Sequence, residues 1–343
     1  LKAGSFRSPS KVAARATAKL LLAAREEIAP CDPGLWLRGG HTQTVLGHFL
    51  PSPTIEGGES LAVTLEREDE RIATTYIAGQ KPIVVYLFHG LGGYSHAFYM
   101  QRTARVARAL GYHVYLNNHR GCGEGVGLAV EPYHSGRAED LSAVIAFGRK
   151  RHPRARHIAI GFSLSGNALL LLAAGVRADI LPDVAIAVNA PIDLVRTAER
   201  LEEGTGALYA QNFTRDLREC VRTRAATGRL KQDYKLPLFM TVRQFDEIYT
   251  APAGGFRSAE HYYQSCSSLP YLERVRIPSV LLTTVDDPII DVGTYRRAKL
   301  SDLIVPHIEE HGGHLGFLSA KPTPLGSRRW LDYALHEYLK VLA

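Results

Sequence analysis

His157-Ile158-Ala159-Ile160-Gly161-Phe162-Ser163-Leu164-Ser165-Gly166-Asn167-Ala168 is the stretch that decides how this 343-residue chain is read. The apolar run before Gly161 is short and rich in β-branched residues, so it predicts a buried strand. The run 168–174 is rich in Ala and Leu, so it predicts a helix. Ser163 therefore sits at a sharp strand-to-helix turn, the setting that lifts a serine hydroxyl clear of a sheet edge. Such a turn strains the backbone at the serine, and its neighbours must be small. Gly161 satisfies this two residues before. Two residues after stands Ser165, where the usual G-x-S-x-G pattern has glycine, and Gly166 follows at once.

On either side of this turn, strands and helices alternate. Residues 61–65 and 72–77 predict two strands around the charged turn 66–71. The run 83–88 is continuously apolar and predicts a strand buried on both faces. Helical spacing over 98–110 stops at Gly111. A strand at 114–116, a helix at 138–147, the elbow strand and helix, and a strand at 184–188 follow. Further strands are expected at 280–284 and 303–308, and a last helix at 330–342. Repeated β-α-β connections predict an α/β fold: a mainly parallel eight-stranded sheet with helices on both faces. The alternation fails between about 191 and 270, a polar stretch too long for a plain loop. It predicts an inserted helical cap over the sheet's C-terminal edge, where open α/β sheets bind ligands. The expected division is a helical or irregular extension over 1–58 and one domain over 59–343.

Composition bounds the function. The hydrophobic fraction of 45% fits a globular protein, and no apolar run approaches the roughly 18 residues of a membrane span. Lys and Arg number 41 against 34 Asp and Glu. Much of the excess is local, in the run 149–157, which is expected to be a helix C-terminus and a solvated loop. That run lacks the interleaved aromatics of a nucleic-acid surface, so no nucleic-acid partner is expected. Cys31, Cys122, Cys220 and Cys266 are far apart, with no C-x-x-C spacing. They support neither a zinc site nor a disulfide framework, and a reducing, cytoplasmic setting is expected. Asp32, His41 and His48 lack metal-ligand spacing, and no metal or other cofactor is expected. In 1–30, the basic residues Lys2, Arg7, Lys11, Arg15, Lys19 and Arg25 precede the first acid, Glu26. Two readings stand: a helix over 11–25 that touches a membrane surface, and a helix docked on the domain through Val12, Leu20 and Leu22. The docked helix is preferred.

A nucleophilic serine needs a base and an acid, and after an elbow these come in the order Ser, acid, His. The strand 280–284 is followed by Asp286-Asp287-Pro288, and Asp287 is preferred to Asp286 because the apolar Pro288-Ile289-Ile290 continues from it. His307, His311 and His314 are candidates for the base. His314, in the glycine-rich loop nearest the last helix, is preferred. The oxyanion needs preorganised donors. The amide N–H groups of Leu164, next to the nucleophile, and Leu91, in His89-Gly90-Leu91-Gly92-Gly93, are expected to supply them. That glycine cluster lacks the Lys-Ser/Thr ending of a phosphate loop. Gly121-Cys122-Gly123-Glu124-Gly125 does not fit dinucleotide spacing, and His134 to Asp140 is one residue too long for an H-x-x-x-x-D acyltransferase motif.

These residues resemble the YheT-like branch of the α/β-hydrolases, which includes fungal ethanol acyltransferase/esterases and animal hydrolase-domain lipases. The matching segments are Gly40-His41-Thr42-Gln43-Thr44, Phe88 to Gly93, Asn117 to Cys122, His134-Ser135-Gly136 with Asp140-Leu141, the elbow, Asp286-Asp287-Pro288, and Gly312 to Phe317. The resemblance implies an α/β-hydrolase fold and a triad of Ser163, Asp287 and His314. For His41, Gln43 and Arg120 a structural role is expected. It also implies a small-molecule acyl ester as substrate, medium-chain esters among them. Three functions follow in order of expectation: a serine-dependent carboxylic ester hydrolase, an alcohol O-acyltransferase, and a catalytically silent binding protein on the same fold.

Overall fold

The computed structural model describes residues 10–67, 69–204 and 206–343. Lys2 and Arg7 of the basic run lie outside them, as does Glu68 of the turn 66–71. Eight strands form one sheet: β1 (Glu59–Thr64), β2 (Arg71–Ile77), β3 (Ile83–Phe88), β4 (His113–Asn117), β5 (Arg156–Phe162), β6 (Val184–Val188), β7 (Ser279–Thr284) and β8 (Ile304–Glu309). Their order is β1-β2-β4-β3-β5-β6-β7-β8. The pairs β1–β2 and β2–β4 are antiparallel, and every other pair is parallel. All eight strands sit where the apolar runs placed them. The parallel core is read easily because its strands are buried on both faces, as β3 is along its whole length.

Alternate residues of each strand serve opposite faces. Val84, Tyr86 and Phe88 pack with Leu141, Val144 and Leu169, which belong to α4 (Ala138–Arg151) and α5 (Leu164–Ala173). Ile83, Val85 and Leu87 pack with Leu21, Met100 and Leu335, from α1 (Lys11–Glu27), α3 (Phe98–Ala109) and α12 (Trp330–Lys340). The sheet is thus covered on both sides, which leaves its C-terminal edge as the open side.

Between β6 and β7 lie α6 (Leu194–Glu202), α7 (Gly206–Ala226), the short α8 (Val242–Phe245), a π-helical turn (Asp246–Thr250), α9 (Ala251–Gly254) and α10 (Ala259–Cys266). A further helix, α11 (Val292–Arg297), follows β7.

Three readings need correction. α1 docks, but not through Val12, Leu20 and Leu22, which stay exposed at 79%, 49% and 41%. Its buried face is Ala14, Thr17, Ala18, Leu21 and Ala24. Small side chains let the helix lie close, and Leu21 alone fills the gap. The basic run is less solvated than expected. Arg149 donates to Leu181 O and Asp183, and Arg156 donates to Leu342 O. His157 is buried and bonded to the Tyr86 hydroxyl at 2.7 Å. Finally, α2 (Gly40–Phe49) has no strong apolar period and escaped the sequence reading altogether. No helix among the described residues is long and apolar enough to cross a membrane.

Candidate active site

Ser163 stands between β5 and α5 with φ 50° and ψ −120°, a conformation that a non-glycine residue holds only under constraint. The constraint is visible on each side. The Ser163 N–H donates to Val188 O of β6 at 2.8 Å. A Cβ at Gly161 would lie 2.5 Å from Ser165 O, so the chain can double back only over glycine.

The loops after β7 and β8 bring the other two residues to the serine. His314 Nε2 is 3.0 Å from Ser163 Oγ, and His314 Nδ1 is 2.9 Å from Asp287 Oδ2. Asp287 is 1% exposed. Asn189 Nδ2 donates to its Oδ2 at 2.6 Å, and the N–H groups of Ile289 and Ile290 donate to Oδ1 at 2.8 and 3.0 Å. Burial alone would raise this carboxyl's pKa. The imidazole of His314 and the two amides outweigh burial and hold it below the usual carboxylate range. The ion is therefore buried but fully hydrogen-bonded.

Asp286 and His311 form a separate pair at 3.4 Å, and Asp286 Oδ1 accepts the Gly313 N–H at 2.8 Å. Through that bond to Gly313, Asp286 braces the loop that holds His314 without reaching Ser163. His307 lies in β8, bonded to Tyr338 and Glu309, and is not brought to the serine.

The unread helix α2 is what fixes the histidine loop. Thr44 Oγ1 donates to Gly40 O at 2.6 Å and accepts the His314 N–H at 2.8 Å. Gln43 bonds both the N–H and the carbonyl of Leu318. A Cβ at Gly40 would collide with Asp286 O, and one at Gly316 would collide with Gln43 O. Helix and loop meet backbone to backbone. Thr44 and Asn189 are the supporting residues that sequence reasoning missed. Thr44 does fall within the quoted segment Gly40 to Thr44, whereas nothing marks Asn189 except its place at the end of a strand. Arg120 is structural as expected: it donates twice to Asp140 at 2.7 Å and also to Glu70.

Ser165 does more than fit the elbow. Its hydroxyl donates to His89 O, directly before Gly90 and Leu91. His119 Nε2 and Tyr133 OH lie 2.6 and 3.1 Å from Ser165 Oγ. His89 Nδ1 is 2.8 Å from Gly90 O, while its Nε2 accepts the His119 N–H at 3.1 Å. Both rings are buried and neutral in this arrangement. Burial drives the His89 pKa down to about 4, against the pull of the Gly90 carbonyl. Burial, and then His89, drive that of His119 well below its ordinary value.

Ser163 opens on a small cavity of about 70 Å³, whose other walls include Leu194 and Leu201 of α6 and Phe213 of α7. A larger cavity of about 310 Å³ adjoins it. The two share Leu91, Leu164, Asp246 and Tyr262. The N–H of Leu164 opens α5 and has no partner within the helix. The close approach of Gly90 to Ser163, where a Cβ would lie 2.9 Å from the serine Cβ, sets Leu91 beside the nucleophile turn.

Residues 83–321 match the profile of the alpha/beta hydrolase fold family. The chain belongs to that family. It is 30% identical over 273 residues to YheT of Escherichia coli K12, covering 76% of this chain and 77% of that protein, which places it in the YheT-like branch. It is 26% identical over 284 residues to the medium-chain fatty acid ethyl ester synthase/esterase 2 of Saccharomyces cerevisiae, covering 75% of this chain but only 61% of that protein. The solved structure of the Pyrococcus furiosus esterase Pf2001 superposes with a TM-score of 0.56 at 16% identity, covering 84% of this chain and 98% of that one, a likeness of fold.

Two outcomes test this site's construction. Ser165→Ala strips His89 O, His119 and Tyr133 of a shared buried partner. It should cost about 1–3 kcal/mol, read as a lower urea midpoint at unchanged slope. Second, stability should fall as pH drops from 6.5 towards 4. There the unfolded chain takes up protons that the folded His89 refuses. His89 alone should cost about 2 kcal/mol between pH 7.5 and 5 in urea unfolding.

Proposed function

We propose that this α/β-hydrolase hydrolyses carboxylic acyl esters through an acyl-enzyme on Ser163, with His314 as base and Asp287 as acid. The observation on which this rests is the unbroken hydrogen-bond chain Ser163 Oγ, His314 Nε2, His314 Nδ1, Asp287 Oδ2. A serine hydroxyl is a weak nucleophile at neutral pH. His314 takes its proton as Oγ attacks the ester carbonyl, and Asp287 holds the imidazole tautomer and stabilises the imidazolium. The tetrahedral oxyanion is received by the N–H groups of Leu91 and Leu164. His314 then gives its proton to the departing alkoxide, which leaves as the alcohol. Water, deprotonated by the same imidazole, attacks the acyl-enzyme. The bond to Ser163 Oγ breaks, the imidazolium returns its proton to that oxygen, and the acid leaves. We read the helices over 191–270 as a cap, because α6, α7 and α8 supply cavity walls opposite Ser163.

Acyl transfer to an alcohol is the second reading. It uses the same acyl-enzyme and differs only in which hydroxyl resolves it. The yeast relative whose name joins synthase with esterase favours keeping it open.

The test is a chain-length panel of 4-nitrophenyl esters, with and without added ethanol. Ser163→Ala should lower kcat by about 10⁴-fold or more, and Asp287→Asn by about 10⁴-fold. Asp286→Asn should cost tenfold or less, because that carboxylate acts only through the loop. Full activity in Ser163→Ala would overturn the proposal, and ethyl ester outpacing free acid would select the second reading.

A further inference from the structure

Arg224 of α7 is 1% exposed, among the largest fully buried side chains of the protein. It lines the larger cavity only, outside the wall shared with the Ser163 cavity. Its Nη2 donates to the carbonyls of Val130 and Arg229. Its Nε and Nη1 have no hydrogen-bond partner among the described residues. The other cavity-lining charges are engaged elsewhere. Arg120 is held by Asp140 and Glu70. Asp216 and Glu219 are paired with Arg215 and Arg222 at the exposed rim. Asp246 accepts from Tyr263. Arg224 forms no salt bridge with any of them.

A buried guanidinium with no counter-ion is costly, yet the fold makes room for this one. A Cβ at Gly121 would collide with Nη1, so glycine there is what admits the guanidinium. Tyr249 stands beside it, and its hydroxyl interacts with the guanidinium without meeting hydrogen-bond geometry. An unused guanidinium N–H beside a phenol, set in a largely apolar cavity, suits one oxygen of a carboxylate or phosphate, held by charge and a single hydrogen bond.

We propose that Arg224 makes the larger cavity a binding site for an anionic group, so that the preferred esters bear a carboxylate or phosphate at the end of their longer arm. The longer arm belongs in this cavity because the one at Ser163 is too small for it. The apolar walls, among them Leu217, Val221 and Phe245, take the chain, and Arg224 takes its charged end. The proposal refines the ester-hydrolase reading and rests on it.

The test compares three 4-nitrophenyl esters of one acyl length: the hexanoate, the adipate monoester with a free carboxylate, and the 6-phosphonooxyhexanoate. At least one anionic ester should exceed the hexanoate tenfold in kcat/KM, and whichever does identifies carboxylate or phosphate as the ligand. In Arg224→Met that ratio should fall at least tenfold, mostly through KM, and Arg224→Lys should restore part of it. Binding is measured separately on the Ser163→Ala protein by calorimetry, where monomethyl adipate or its phosphate counterpart should bind at least tenfold tighter than methyl hexanoate. This readout needs neither the Arg224 variants nor turnover, so a failure of the hydrolase reading is distinct from a failure of this one. An anionic preference below one on both arms, or a ratio unmoved by Arg224→Met, would overturn the proposal.

Discussion

The rest of the site depends on the backbone of one residue. Ser163 is held at φ 50°, where a side chain is sterically disfavoured. It stays there because β5 and α5 are both buried and cannot shift to relieve it. All of β5 after Arg156 is buried, and so is α5 from Ser165 onward. The strain is local, while the packing that maintains it runs through both layers of core. This turn puts the hydroxyl over the sheet edge, and every other site residue is placed relative to it.

The histidine is held by more than packing. Its loop bends through Leu315 and Phe317, both at positive φ, and polar contacts add to the burial of those two side chains in the core. Two Asp–His pairs divide the task. Asp287 faces His314 at 2.9 Å, and Asp286 faces His311 at 3.4 Å while also taking the Gly313 N–H. Thr44 adds a hydrogen bond from α2. A buried carboxylate would be expensive alone. Four donors, namely His314, Asn189 and two amides, make Asp287 an ion that the fold can keep.

What the sequence disclosed follows a physical pattern. Strands buried on both faces, such as β3, β6 and β7, leave continuous apolar runs and were legible for that reason. The mostly exposed β1 was legible from its pairing with β2 across the charged turn. The order of Ser163, Asp287 and His314 along the chain was legible because elbow topology dictates it. Contacts made by backbone groups and small residues were not. α2 meets its loop through Gly40 and Gly316, and α1 docks through alanines, so neither advertises its buried face. Spacing also hid what folding brings together. Cys220 Sγ donates to the carbonyl of Gly121, beside Cys122, although the two cysteines are far apart in the chain. Ser165 looked like a departure from a pattern. In the fold it is the residue that ties the elbow to His89 and so to the Leu91 loop.

The central claim is that Ser163 is activated by this arrangement. Its most direct measurement is peptide mass spectrometry after reaction with a fluorophosphonate. A single adduct on the peptide containing Ser163, lost in Ser163→Ala and strongly slowed in His314→Ala, is the expected result. No adduct, or an adduct on another serine with Ser163 unmodified, would contradict the account.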